Sequence, residues 1–233
     1  MHREFNFPTR DGVRLFGQSW APETPPRAGI VLLHGFGDYS GRYEYAARFF
    51  NRAGVSVCSF DQRGHGRSPG RRAYIGRFET WMDDLSCFLA EEADELGAIP
   101  WFFFGHSMGG MLLARYLETN PTTALGAIFS SPFVGLNGDV PAFLTALAPF
   151  LSRWLPWLPV GHVDNRGLSR DLLVVDAADR DLLTFHGRVA ARTGAEFLRI
   201  ITAIHEDARR ILSPSLIFHG SADTVVQIGR AHV

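Results

Sequence analysis

Ser107 lies in Gly105-His106-Ser107-Met108-Gly109, directly after the apolar run Trp101 to Phe104 and directly before a helical pattern. A strand that turns straight into a helix holds its apex residue at positive φ with the side chain thrust outward. Cβ atoms two positions to either side would collide there. Glycine at 105 and 109 removes both collisions. A serine hydroxyl is a weak nucleophile at neutral pH, so attack on a carbonyl carbon needs a general base for its proton and N–H donors for the oxyanion. The expected donors are the backbone N–H of Met108, at the start of the helix, and that of Phe36, in the loop His34-Gly35-Phe36-Gly37. Asp223 stands at the mouth of a further apolar run, in HGSADTVV (219 to 226).

Elements that could position these groups follow from apolar patterning. Runs at 29–35, 55–61, 101–106, 125–131 and 215–220 have the length of buried strands. Between them, Tyr43, Ala46, Ala47, Phe50 and Ala53 share one helix face ending at Gly54, and Phe78, Met82, Leu85, Phe88, Leu89 and Leu96 share another ending at Gly97. Strands buried on both faces and alternating with amphipathic helices predict an α/β fold, a mostly parallel sheet covered on both sides, with chemistry at the carboxyl ends of strands. The first twenty residues read as a hairpin turning at Arg10-Asp11-Gly12 and contain no signal-peptide pattern. From 132 to 213 no strand run appears. This stretch is expected to be a helical cap inserted between a core of residues 1–131 and its continuation at 214–233.

The bulk numbers narrow the function classes. With 233 residues, 46% of them hydrophobic, and a net charge of −1, the chain can bury a sizeable core and has no field to attract nucleic acid. Two cysteines support neither a disulfide scaffold nor a thiolate metal site, and a reduced, cytoplasmic setting fits. Gly64 to Gly70 is Gly-rich but has the wrong spacing for a dinucleotide loop. His205-Glu206 begins a zinc-helix motif, yet Arg209 stands where the second ligand is needed. No metal or cofactor is expected.

HGFGDYSGRY (34 to 43), FDQRGHGRSPG (60 to 70), GHSMGG (105 to 110), LSRD (168 to 171) and HGSADTVV (219 to 226), in this order, resemble the α/β-hydrolase family. The likeness is to its monoacylglycerol lipase and lysophospholipase branch, grouped with the S33 serine aminopeptidases. It implies a cofactor-free serine hydrolase acting on small acyl esters through a Ser-Asp-His triad beneath a cap. Ser107 would be the nucleophile, Asp223 the triad acid, Phe36 and Met108 the oxyanion donors, and 132–213 the cap.

The family's order is Ser, acid, His. Of nine histidines only His232 follows Asp223, and nine residues are too few for the further helix and strand that precede the family's histidine. Ile228 to Val233 back-translates as ATC GGA AGA GCA CAC GTC, which resembles a short-read sequencing adapter. The expectation is therefore a C-terminally truncated reading with a non-native tail at 228–233, lacking the last strand and helix and the base, and nearly inactive as written.

The cap is apolar at Phe143, Leu147, Phe150 and Trp154, which suggests an acyl-chain site or transient contact with a membrane surface; the alternative is plain packing. Rival chemistries separate by single residues. Dehalogenases and epoxide hydrolases carry Asp at the position of Ser107, and proline iminopeptidases carry Trp at that of Met108. Perhydrolases, acyltransferases, an S33-type peptidase and a non-catalytic protein of this fold stay open, as do the particular ester and the oligomeric state.

Overall fold

The computed structural model describes residues 1–135, 142–162, 169–223 and 226, without the side chains of 142–146 and of His162. The chain begins with an antiparallel hairpin, β1 (His2–Pro8) and β2 (Arg14–Trp20). Its turn holds Gly12 at φ +82°, where a side chain would strain the backbone. Next come β3 (Ala28–Leu33), α1 (Glu44–Arg52), β4 (Val55–Phe60), α2 (Phe78–Glu91), α3 (Ala93–Gly97), β5 (Trp101–His106), α4 (Met108–Thr119) and β6 (Gly126–Ser130). After β6 lie α5 (Ala142–Trp154), β7 (Pro159–His162), α6 (Leu172–Arg180), β8 (Arg188–Ala190), α7 (Ala191–Asp207) and β9 (Ser215–Phe218).

Seven strands form one sheet in the order β1-β2-β4-β3-β5-β6-β9, parallel from β4 to β9. Side chains of successive strand residues point to opposite faces, and two apolar clusters show it. Ile30, Leu32 and Val57 pack with Ala47 of α1 on one face. Val31, Leu33, Cys58, Phe60 and Phe103 pack with α2, α4 and α7 on the other. From β3 the chain winds first toward β4 and then back past β3 to β5. The winding direction therefore reverses between β3 and β5, and the crevice at their carboxyl ends is where such sheets bind ligands. The loop at Phe36 leaves β3 there, and Ser107 leaves β5 there.

Two local expectations are corrected. The helix expected to run unbroken to Gly97 is divided between α2 and α3 at Glu92, whose buried carboxylate meets Arg3 at 2.6 Å, a long-range pairing that periodicity does not reveal. Residues 132–213, expected to lack strands, contain the antiparallel ribbon β7–β8. Segments of four and three residues are too short for alternation to register. In the same stretch Phe197, Ile200, Ile201 and Ile204 of α7 join the main core with Met111 and Leu112 of α4, so its second half packs directly against the sheet's helices. No helix among the described residues is long and apolar enough to cross a membrane.

Candidate active site

Ser107 has φ +50° and ψ −117°, the positive-φ apex expected of a strand that turns directly into α4. The bend is held by Ser107 N–H donating to the Ser130 carbonyl and by the Ser107 carbonyl accepting from Phe133 and Met111 N–H. The flanking glycines are required by contact. A Cβ on Gly105 would stand 2.8 Å from the Gly109 carbonyl oxygen, and one on Gly109 would stand 2.2 Å from the Leu33 oxygen. Real Cβ atoms do not approach backbone so closely. α4 can therefore begin tight against the exit of β3.

That packing brings the loop at Phe36 to the serine. A Cβ on Gly35 would lie 3.4 Å from Ser107 Cβ. Asp38 N–H donates to the Gly35 carbonyl at 3.3 Å, closing a turn with Phe36 and Gly37 at its centre and Gly37 at φ +75°. In such a turn the N–H of the second residue is not used by the turn itself. Among the described residues, neither Phe36 N–H nor Met108 N–H donates to a backbone carbonyl.

Behind the loop, two buried histidines are held neutral. His34 accepts from Gln62 N–H at its Nε2 and bonds the Gly35 carbonyl through Nδ1. His65 packs its ring against Phe36, Trp81 and His34. Burial pushes the His34 imidazole down to about 4 and that of His65 to about 3. An unfolded histidine titrates near 6.5, so the unfolded chain takes up protons first as pH falls. The stability these groups contribute is complete above about pH 6.5 and declines below it, by about 1.4 kcal/mol per pH unit for each ring. In urea titrations His65→Phe should therefore lose about 2 kcal/mol less than the parent between pH 6.5 and 5. Equal losses would show that His65 does not set this slope.

Asp223 follows β9, one strand beyond β6. Its Oδ1 accepts from Val226 N–H at 2.9 Å, and its Oδ2 lies 3.5 Å from Nδ1 of His219. Sequence reasoning read His219 only as the close of a strand; its place beside Asp223 comes from a four-residue turn. His106 projects from β5 to Ser130 Oγ at 3.1 Å, and burial holds its imidazole below the usual range despite the Asp223 charge nearby. His205 bonds the Val134 carbonyl. The rings of His106 and His205 are thus engaged elsewhere, and His232 lies outside the described residues, as does the expected tail at 228–233.

The residues expected to form an acyl-binding cap are largely exposed where they are described. Leu147, Phe150 and Trp154 on α5 are 45%, 58% and 65% exposed, while Ser152 on the same helix is buried and bonded to Arg192 of α7. The side chain of Phe143 lies outside the description. Three residues that join the loops beside Ser107 to residues 181–185 were not singled out in the sequence: Tyr39, inside the motif at 34 to 43, and Arg72 and Phe185, outside all five motifs.

A family model described as serine aminopeptidase, S33 matches residues 24–232. The chain belongs to that family. It is 31% identical over 225 residues to a monoacylglycerol lipase of Mycolicibacterium smegmatis (strain ATCC 700084 / mc(2)155), covering 97% of this chain and 80% of the relative. It is 32% identical to a monoglyceride lipase of Rattus norvegicus, covering 91% and 71%. The crystal structure of Paleococcus ferrophilus monoacylglycerol lipase superposes with a TM-score of 0.77 at 33% identity, covering 89% and 77%. The S33 family member described here has the α/β-hydrolase fold and is an acyl ester hydrolase of the serine hydrolase class with a small-molecule substrate.

Proposed function

We propose that this chain hydrolyses monoacylglycerols or related lysophospholipids, with Ser107 as nucleophile, Phe36 and Met108 N–H as oxyanion donors and Asp223 as the acid of the triad. The single observation that carries this reading is the positive-φ Ser107 at the β3/β5 crevice, with Gly35 against its Cβ. The relatives named as monoacylglycerol lipases support the substrate class. The base this mechanism requires is a histidine that follows Asp223 in the family's order Ser, acid, His, and no residue of this sequence is assigned to it. It takes the Ser107 proton as the hydroxyl oxygen attacks the ester carbon. It then protonates the departing glycerol oxygen, and a water hydrolyses the acyl-serine with the same base.

The outward apolar face of α5 supports a role for Leu147, Phe150 and Trp154 in meeting the acyl chain or the lipid surface that presents it. Residues 1–131 and 214–233 serve as the catalytic core, the latter with the expected tail at 228–233, and 132–213 as the cap.

A chain-length series of p-nitrophenyl and monoacylglycerol esters on the full-length protein tests the substrate reading. kcat/KM should rise at least tenfold from acetyl to lauroyl. A flat profile would remove any acyl-chain site from the cap.

A further inference from the structure

The loop at Phe36 is tied to residues 181–185 at two places, and Arg72 holds the same residues from the neighbouring loop after β4. Phe185 N–H donates to the Gly37 carbonyl at 2.7 Å. Tyr39 Oη donates to Asp181 Oδ2 at 2.7 Å. Arg72 donates one guanidinium nitrogen to the Leu183 carbonyl at 2.6 Å and the other to the Gly66 carbonyl at 2.8 Å, and Gly66 packs on Tyr39 so closely that an added Cβ would stand 2.7 Å from Tyr39 Cβ. The segment between these anchors is folded on itself, since Leu183 N–H donates to Asp181 Oδ1 and Thr184 N–H to the Asp181 carbonyl. Above the turn, the Phe36 ring meets Phe185 and Phe197 edge to face, at 6.0 and 5.6 Å between centroids.

A turn centred on Phe36 and Gly37 needs such support. Glycine populates both signs of φ about equally, so its neighbouring peptide planes are free to rotate unless something outside the turn holds them. The Phe36 N–H lies in the preceding peptide, between Gly35 and Phe36, and opening of the turn that carries it would shift it relative to Ser107. Preorganised donors stabilise a developing oxyanion only if they do not have to reorient during the reaction.

We propose that residues 181–185 act as a strap through which the cap positions the Phe36 N–H, with Tyr39, Arg72 and Asp181 as positioning residues for acyl transfer. The strap joins residues that never touch the substrate to the donor that stabilises its transition state. It follows that a cap lifted at this edge leaves Ser107 in place but disorders its oxyanion hole. This rests on the serine hydrolase reading of Ser107.

The test compares the full-length parent with Tyr39→Phe, which removes a single hydroxyl, and with Arg72→Gln and Arg72→Lys. The readouts are steady-state kinetics on p-nitrophenyl butyrate, the rate of Ser107 labelling by a fluorophosphonate, and the thermal midpoint. The strap requires kcat and the labelling rate to fall together, about tenfold for Arg72→Gln, with KM within twofold and the midpoint within a few degrees. Arg72→Lys, which keeps one donor, should recover part of the loss. Parent-like labelling in Tyr39→Phe and Arg72→Gln, a rise in KM at constant kcat, or a loss that only follows a fallen midpoint would each overturn the strap alone. No labelling of the parent would overturn the hydrolase reading and the strap with it.

Discussion

Ser107→Ala in the full-length protein lowers kcat by about 10⁴-fold or more while the thermal midpoint stays within a few degrees of the parent. The size of the effect follows from the chemistry. Nucleophile and base act as one unit, and removing either leaves only what the oxyanion donors and substrate binding supply. The small effect on stability follows from the structure. The bend at Ser107 is held by its own N–H and carbonyl, bonded to Ser130, Phe133 and Met111, and these backbone groups survive in alanine. Alanine does meet the same positive φ as serine, so the strain is retained and not relieved. Hydrolysis of a p-nitrophenyl ester and fluorophosphonate labelling, with the thermal midpoint as control, check the prediction. Residual activity within tenfold of the parent would exclude Ser107 as nucleophile.

Gly109→Ala is expected to be the most damaging single-methyl change at the site. Its Cβ would stand 2.2 Å from the Leu33 oxygen, 2.6 Å from the Leu33 carbonyl carbon and 2.7 Å from the His34 oxygen, all backbone atoms that no rotamer change can move. Relief requires α4 to back away from the end of β3. Overpacking of this kind costs about 3 kcal/mol. In a chain of this size that lowers the thermal midpoint by about 6–12 °C. Activity should fall further than stability, because the movement separates Met108 N–H from the loop that carries Phe36 N–H. Gly97→Ala is the matched control: nothing lies within 4 Å of the added methyl, so stability should change by less than about 1 kcal/mol. Parent-like stability and kinetics for Gly109→Ala would show that the helix start is not held by this contact.

The contrast between these two glycines marks how far sequence reasoning reaches. Two glycines at fixed offsets from a serine, between an apolar run and a helical pattern, are legible because the constraint is local: a strand that becomes a helix within one residue permits few alternatives. Residue types along β3, β4, β5 and β6 are legible for a related reason, since strands covered on both faces must be apolar throughout; β9 is as apolar, yet Leu216, Ile217 and Phe218 are exposed. Glu92 is different. Nothing in the pattern around it announces a partner 89 residues away in the chain. The same holds for His219, whose neighbour Asp223 was read for its own chemistry. The outward face of α5 also needed the tertiary structure, because an apolar helix reads alike whether its side chains face the core or solvent.

The amino-acid sequence alone determined the parallel sheet, the strained serine turn, the loop that faces it and, through five motifs in order, the family. Each apolar run and each motif is itself confined to about ten positions, where backbone sterics and apolar period act directly, and their order along the chain supplied the rest. Tertiary structure alone decided that winding reverses between β3 and β5 and that Tyr39 meets Asp181 across 142 positions. It also decided that two histidines behind the loop are sealed from water. Those outcomes are set by which surfaces the folded chain brings together, and a hydrogen bond between distant polar residues leaves no periodic trace in the chain.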